Sequence, residues 1–109
     1  MIGQMTETDP ILARFRSALN DLYGDRIERV VLYGSRARGD AKPDSDYDVA
    51  LFLRELTNRW QEVRKLVDIE RAITGDTGID IHTMPFPAGA WRDPSSPVMN
   101  EIRNDGVDL

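Results

Sequence analysis

VVLYGSRARGDAKPDSDYDVALFL, residues Val30–Leu53, holds an apolar run ending in Gly34-Ser35, a basic turn, and a second apolar run that opens with Asp46-Tyr47-Asp48. The first run shows no polar alternation, so it predicts a strand buried inside a sheet, ended by Gly34. A Gly-Ser step at that point lets the backbone approach a ligand closely. Ser35 followed by Arg36-Ala37-Arg38 predicts a short helix whose free N–H groups attract phosphate, with two arginines adding charge. Asp46 and Asp48 stand two apart at a strand start, which puts both carboxylates on one face about 7 Å apart. At an effective dielectric near 20 they repel by roughly 2–3 kcal/mol, and burial adds to that cost. A hard divalent cation offsets the repulsion, and Mg²⁺ characteristically joins one or two carboxylates to substrate phosphates. The stretch therefore predicts a site for a metal-bound nucleotide. The plainer alternative is that the two acids cap a turn and the two arginines are solvated.

Gly34-Ser35-Arg36-Ala37-Arg38-Gly39 followed by Ser45-Asp46-Tyr47-Asp48 resembles the signature of the nucleotidyltransferase superfamily that includes DNA polymerase beta. Within it, the short chain resembles the minimal nucleotidyltransferases, often encoded beside a helical HEPN ribonuclease toxin. The resemblance implies an α/β, polymerase beta-like fold: a small mixed β-sheet backed by helices, with residues 1–109 as a single minimal nucleotidyltransferase domain. It implies a Mg-dependent enzyme that moves AMP from ATP to a hydroxyl, a tyrosine of the HEPN toxin, and so acts as that toxin's antitoxin. Two Mg²⁺ ions would lie across Asp46, Asp48 and Asp80, while Gly34, Ser35, Arg36 and Arg38 would hold nucleotide. Asp80 enters through the resemblance, because these transferases place a third acid on the next strand; a plain edge-strand acid is the alternative. Two other functions compete: a non-catalytic antitoxin that neutralises its partner by binding, and a small-molecule transferase of the aminoglycoside type. The latter is disfavoured because 109 residues leave no acceptor-holding lobe.

That length predicts one domain with a modest core. The 14 basic and 19 acidic residues give a net charge of −5, which argues against direct nucleic-acid binding and for a basic protein partner. With no second lobe, the acceptor is expected to be held by a partner, a homo-oligomer or its own surface. With no cysteine there is no disulfide, thiol nucleophile or zinc–thiolate site. MIGQMTETDP lacks a basic region followed by an apolar one, and no run approaches the ~20 apolar residues of a membrane span, so the cytoplasm is expected.

Along the rest of the chain, Asp9-Pro10 predicts a helix start, with Ile11, Leu12, Phe15, Leu19 and Leu22 at helical spacing and Gly24 as the stop. Strands are expected over about Ile27–Tyr33 and Tyr47–Leu53, the second with Val49, Leu51 and Leu53 facing the core and its other face opening with the acids. Lys42, in the loop between them, reads as solvated rather than phosphate-binding. A long helix is expected over Thr57–Thr74, with Trp60, Val63, Leu66, Val67, Ile69 and Ile73 forming its buried stripe and Gly75–Gly78 as a turn. Ile79–Met84 alternates like a strand, with Asp80 and the lone histidine, His82, on one face; His82 could orient a substrate or be simply hydrogen-bonded. Pro85–Pro97 reads as an irregular arm whose Phe86 and Trp91 either anchor a partner or fold back on their own domain. Ser95 or Ser96 then caps a short helix, and Gly106–Leu109 closes the chain as an edge strand.

Overall fold

The hairpin predicted from Val30–Leu53 forms the centre of a four-stranded mixed sheet in the computed structural model, which describes residues 9–109. Met1–Thr8, most of the stretch read above for a leader pattern, lies outside the described residues. In chain order the elements are α1 (Pro10–Tyr23), a 3-10 turn (Gly24–Arg26), β1 (Ile27–Tyr33), α2 (Ser35–Arg38), β2 (Tyr47–Leu53), α3 (Arg59–Thr77), β3 (Ile81–Pro87), a second 3-10 turn (Ala90–Arg92), α4 (Pro97–Asp105) and β4 (Val107–Asp108). The strand order is β3-β2-β1-β4, with β2 antiparallel to β1, parallel to β3, and β4 antiparallel to β1. Parallel pairing of β2 with β3 requires a crossover, which α3 supplies. Pro85 and Pro87 donate no ladder bond, and β3 tolerates them because it is an edge strand. The strand thus runs through Pro87, further than the alternation of Ile79–Met84 indicates.

Asp9 caps α1 through Oδ1, accepting from the amides of Ile11 and Leu12 at 2.9 and 3.2 Å. Its Oδ2 accepts the Tyr47 hydroxyl at 2.5 Å, which ties the helix start to the first residue of β2. Burial, and then the bond and charge of Asp9, push the Tyr47 phenol up to about 12. A raised folded pKa means the associated stability is complete below the unfolded value of about 10 and is lost as pH rises from there through about 12. Tyr47→Phe is therefore expected to lower stability by about 1 kcal/mol at pH 7. Melting curves of the pair should draw together as pH rises from about 10 through about 12.

Helices cover both faces of the sheet. Leu12, Phe15, Leu19 and Tyr23 of α1 with Leu66 and Ile73 of α3 pack on Val30, Leu32, Val49, Leu51 and Leu53. On the opposite face Met99 and Ile102 of α4 pack on Val31, Ala50 and Phe52, and Phe86 stacks on Phe52 at 5.6 Å between centroids. The face of β2 expected to open with acids is thus polar only at its start, because α4 buries Ala50 and Phe52 completely.

Three helix details depart from the expected pattern. In α3 the buried stripe is Glu62, Leu66 and Ile73, with Trp60 72% exposed, so Trp60 is not core. Trp60-Val63-Val67 and Glu62-Leu66-Ile69-Ile73 are neighbouring stripes at the same spacing, and the sheet selects the second. Glu62 is tolerated there because Arg26 and Lys65 approach it at 3.5 Å each. The helix also passes through Gly75, and Gly78 takes the left-handed cap (φ 75°), donating to the Thr74 carbonyl. In α1, Tyr23 occupies the buried position and Leu22 faces outward.

Candidate active site

Sheet register assembles the acids. Tyr33 of β1 stands opposite Asp48 of β2, and Asp48 stands opposite His82 of β3. The Tyr47 amide donates to the Asp80 carbonyl at 3.0 Å, so Asp80 sits one residue ahead of β3, level with Asp46. Strand alternation then sets Asp46, Asp48, Asp80 and His82 on one face, the face of β2 on which α4 packs further along through Ala50 and Phe52.

Asp46, Asp80 and His82 are exposed and offer one ligand atom each, all within 4.8 Å of one another. His82 Nε2 lies 3.2 Å from Asp46 Oδ2. Two carboxylate oxygens and an imidazole nitrogen converging this closely suit a divalent cation. Asp48 lies outside that trio, and its Oδ2 rests against Gly34. A Cβ on Gly34 would come within 2.6 Å of that oxygen, and the glycine's φ of 76° disfavours any side chain as well. The glycine of the Gly-Ser turn thus makes room for the Asp48 carboxylate. Burial pushes the Asp48 carboxyl above its ordinary pKa; His82 and Arg38 counter this, while Asp46 and Glu101 add to it.

Ser35 begins α2, whose cap Gly34 provides no side-chain bond; the Ala37 and Arg38 amides donate to the Gly34 carbonyl at 3.1 Å each, which leaves the amides of Ser35 and Arg36 at the open start of the turn. The arginines that follow differ. Arg36 turns under the loop, donating to the carbonyls of Ser45 (2.8 Å) and Pro43 (3.1 Å) with its guanidinium 4.1 Å from the Tyr47 ring centre. Its Nε and Nη2 thereby hold the loop at Pro43 and Ser45 against β2. Lysine cannot reproduce that planar fork, and Arg36→Lys is expected to lower stability by about 1 kcal/mol in thermal melts. Arg38 remains near the acids, bridging Asp40 at 3.3 Å and Glu101 of α4 at 3.4 Å. Lys42 is exposed.

The aromatic arm folds onto its own chain. Trp91 Nε1 donates to Glu28 at 3.0 Å, and Arg29 and Arg92 lie over its ring at 4.7 and 4.5 Å. Glu101 was not visible as a site neighbour from sequence, since α4 reaches the acids only through the tertiary fold. The position of His82 was legible: an Asp-x-His step on a strand places both side chains on one face.

The family profile described as nucleotidyltransferase domain matches residues 12–102. A Methanocaldococcus jannaschii protein, assigned by inference as a protein adenylyltransferase, is 34% identical over 59 residues, 54% of this chain and 59% of that protein. The chain thus spans less than two thirds of that relative. Among solved structures, a nucleotidyltransferase from Sulfolobus solfataricus, also assigned by inference, superposes with a TM-score of 0.63 at 18% identity, covering 91% of this chain and 76% of the other. A toxin–antitoxin structure with AMP-PNP gives 0.57 at 15% identity over 86% and 68% of the two chains. A mutant of the MntA–HpeT toxin–antitoxin pair gives 0.56 at 14% over 85% and 68%. These likenesses establish a common fold. Among the described residues, no helix is long and apolar enough to cross a membrane.

Proposed function

The chain belongs to the nucleotidyltransferase domain family, and on that premise we propose that it is a single-domain protein adenylyltransferase acting as an antitoxin. It transfers AMP from ATP to a tyrosyl hydroxyl of a HEPN-type ribonuclease. The observation that carries the reading is the convergence of Asp46, Asp80 and His82, with Asp48 beside them, next to the uncapped start of α2. The inferred activity of the M. jannaschii relative and the toxin–antitoxin neighbours, one with AMP-PNP, support the choice of reaction and partner.

In the proposed reaction the tyrosyl oxygen bonds to the α-phosphorus, the α–β anhydride bond breaks, and pyrophosphate leaves. Divalent ions such as Mg²⁺, when bound, supply charge neutralisation of the triphosphate and a lowered pKa for the attacking hydroxyl. Asp46, Asp48 and Asp80 would hold those ions, and Asp80 would also accept the hydroxyl proton. The Ser35 hydroxyl and the Ser35 and Arg36 amides would receive the β and γ phosphates, with Arg38 facing the developing negative charge.

The test uses the ribonuclease encoded beside this chain, incubated with it, ATP and Mg²⁺, and read by intact mass and residual ribonuclease activity. Mass added in whole AMP units, with inhibition, is expected from the wild type and neither from Asp46→Asn/Asp48→Asn. Inhibition by the double variant without added mass would replace transfer with neutralisation by binding.

A further inference from the structure

We propose that His82 is itself a ligand of the cation held by Asp46 and Asp80, and that its imidazole biases the site toward a first-row transition ion over Mg²⁺. The inference deepens the metal-dependent reading above and rests on it for the existence of a cation, but not for the acceptor or the partner.

Three observations carry it. First, Asp48↔His82 pairing in the parallel β2–β3 ladder fixes the imidazole on the face of the acids. Second, Nε2 and Asp46 Oδ2 lie 3.2 Å apart, the spacing of adjacent positions in a coordination shell with bonds of about 2.1–2.2 Å. Third, this contact is solvent-exposed, with side-chain exposures of 59% for His82 and 50% for Asp46. An ion pair so exposed contributes at most about 1 kcal/mol, so stability gives little reason for the pairing. A cation entering between Asp46 and Asp80 displaces the contact and takes both atoms as donors.

Donor chemistry then decides the preference. Mg²⁺ demands oxygen ligands and gives up its water reluctantly, whereas a site with an imidazole donor favours first-row transition ions, increasingly from Mn²⁺ toward Cu²⁺. Mn²⁺ is the informative probe, because it shares the Mg²⁺ preference for carboxylates and so differs at this site through the nitrogen.

The experiment loads the purified chain with Mn²⁺, without nucleotide or partner. It measures electron spin-echo modulation for nitrogen bound to the metal, and Mn²⁺ and Mg²⁺ affinities by calorimetry. Wild type is expected to show ¹⁴N modulation and His82→Asn to lose it. The same substitution should weaken Mn²⁺ binding by at least ~10-fold, the loss found when even groups behind a ligand are removed, with Mg²⁺ changed by no more than about twofold. His82→Asp, an all-oxygen set, should still bind but move the preference toward Mg²⁺ without ¹⁴N modulation. Circular dichroism confirms that the variants fold, as the exposure of His82 leads one to expect. Absence of ¹⁴N modulation in the wild type, or an unchanged Mn²⁺/Mg²⁺ ratio in His82→Asn, overturns the proposal. A nitrogen-bound Mn²⁺ in a chain that transfers no AMP upholds it while removing the proposed function; transfer without nitrogen coupling does the reverse.

Discussion

Asp48→Asn is expected to lower AMP transfer by about 10³-fold or more, and at the same time to make the chain more stable. Loss of a single hydrogen-bond donor to a transition state costs ~10²–10³ in rate, and in the proposed reaction a full charge that would hold the ions is removed. The opposite effect on stability follows from the surroundings of the carboxylate. Burial and the charges of Asp46 and Glu101 raise the Asp48 pKa above its ordinary value, only partly countered by His82 and Arg38. The folded state therefore prefers the protonated acid, and the group contributes most below its unfolded pKa of about 3.9, losing that contribution as pH rises through the higher folded value. Asparagine removes the charge at neutral pH. Because the site is partly solvated, the gain is set at no more than about 1 kcal/mol. Thermal melts of wild type and variant in metal-free buffer should differ at pH 7 and draw together as pH falls into that window. A less stable variant at pH 7 would mean that Asp48 makes attractive contacts outweighing its burial.

Gly34→Ala carries the second large effect. Its methyl group would lie 2.6 Å from Asp48 Oδ2, at a φ of 76° where alanine is strained. Either the carboxylate swings away from the turn or the turn itself moves. Off-rotamer or backbone accommodation of this kind costs about 1–3 kcal/mol, and the backbone at φ 76°, ψ −157°, a region almost reserved to glycine, adds about 1–3 kcal/mol. Transfer should fall by at least ~10²-fold, because a displacement of about 1 Å at such a site costs that much. Measuring stability and turnover together separates the contributions: with metal and nucleotide saturating, turnover should remain depressed even where the variant is fully folded.

Much of the architecture was readable because local chemistry and tertiary demand agree. Ile27–Tyr33 and Tyr47–Leu53 are strands with the expected ends, since each centres on a buried apolar run, Val30–Leu32 in the first and Val49–Leu53 in the second, closed by a turn residue or opened by an acid. Asp9, Ser96 and Gly24 sit at the helix ends where capping chemistry places them. Sequence reasoning failed where two patterns competed. The neighbouring stripes of α3 differ by which side chains meet the sheet, and an exposed Trp60 beside a buried Glu62 follows from Arg26 and Lys65, whose proximity periodicity does not encode. The same limit applies in the site. Spacing alone puts Asp46 and Asp48 on one face, but that His82 pairs with Asp46 while Asp48 turns to Gly34 depends on strand register and on a missing Cβ. Arg36 and Arg38 read alike in sequence, and only the fold of Asp40–Ser45 gives the first to the loop and leaves the second near the acids.

Calorimetric titration of the chain with AMP-PNP tests the metal-nucleotide site most directly. It is run with Mg²⁺ or Mn²⁺ and again with a chelator, on wild type and on Asp46→Asn/Asp48→Asn. Saturable binding near one nucleotide per chain is expected with metal, and none with the chelator or in the double variant. Binding of equal strength in all these conditions, or none in any, would contradict a metal-bound nucleotide at Asp46, Asp48 and Asp80.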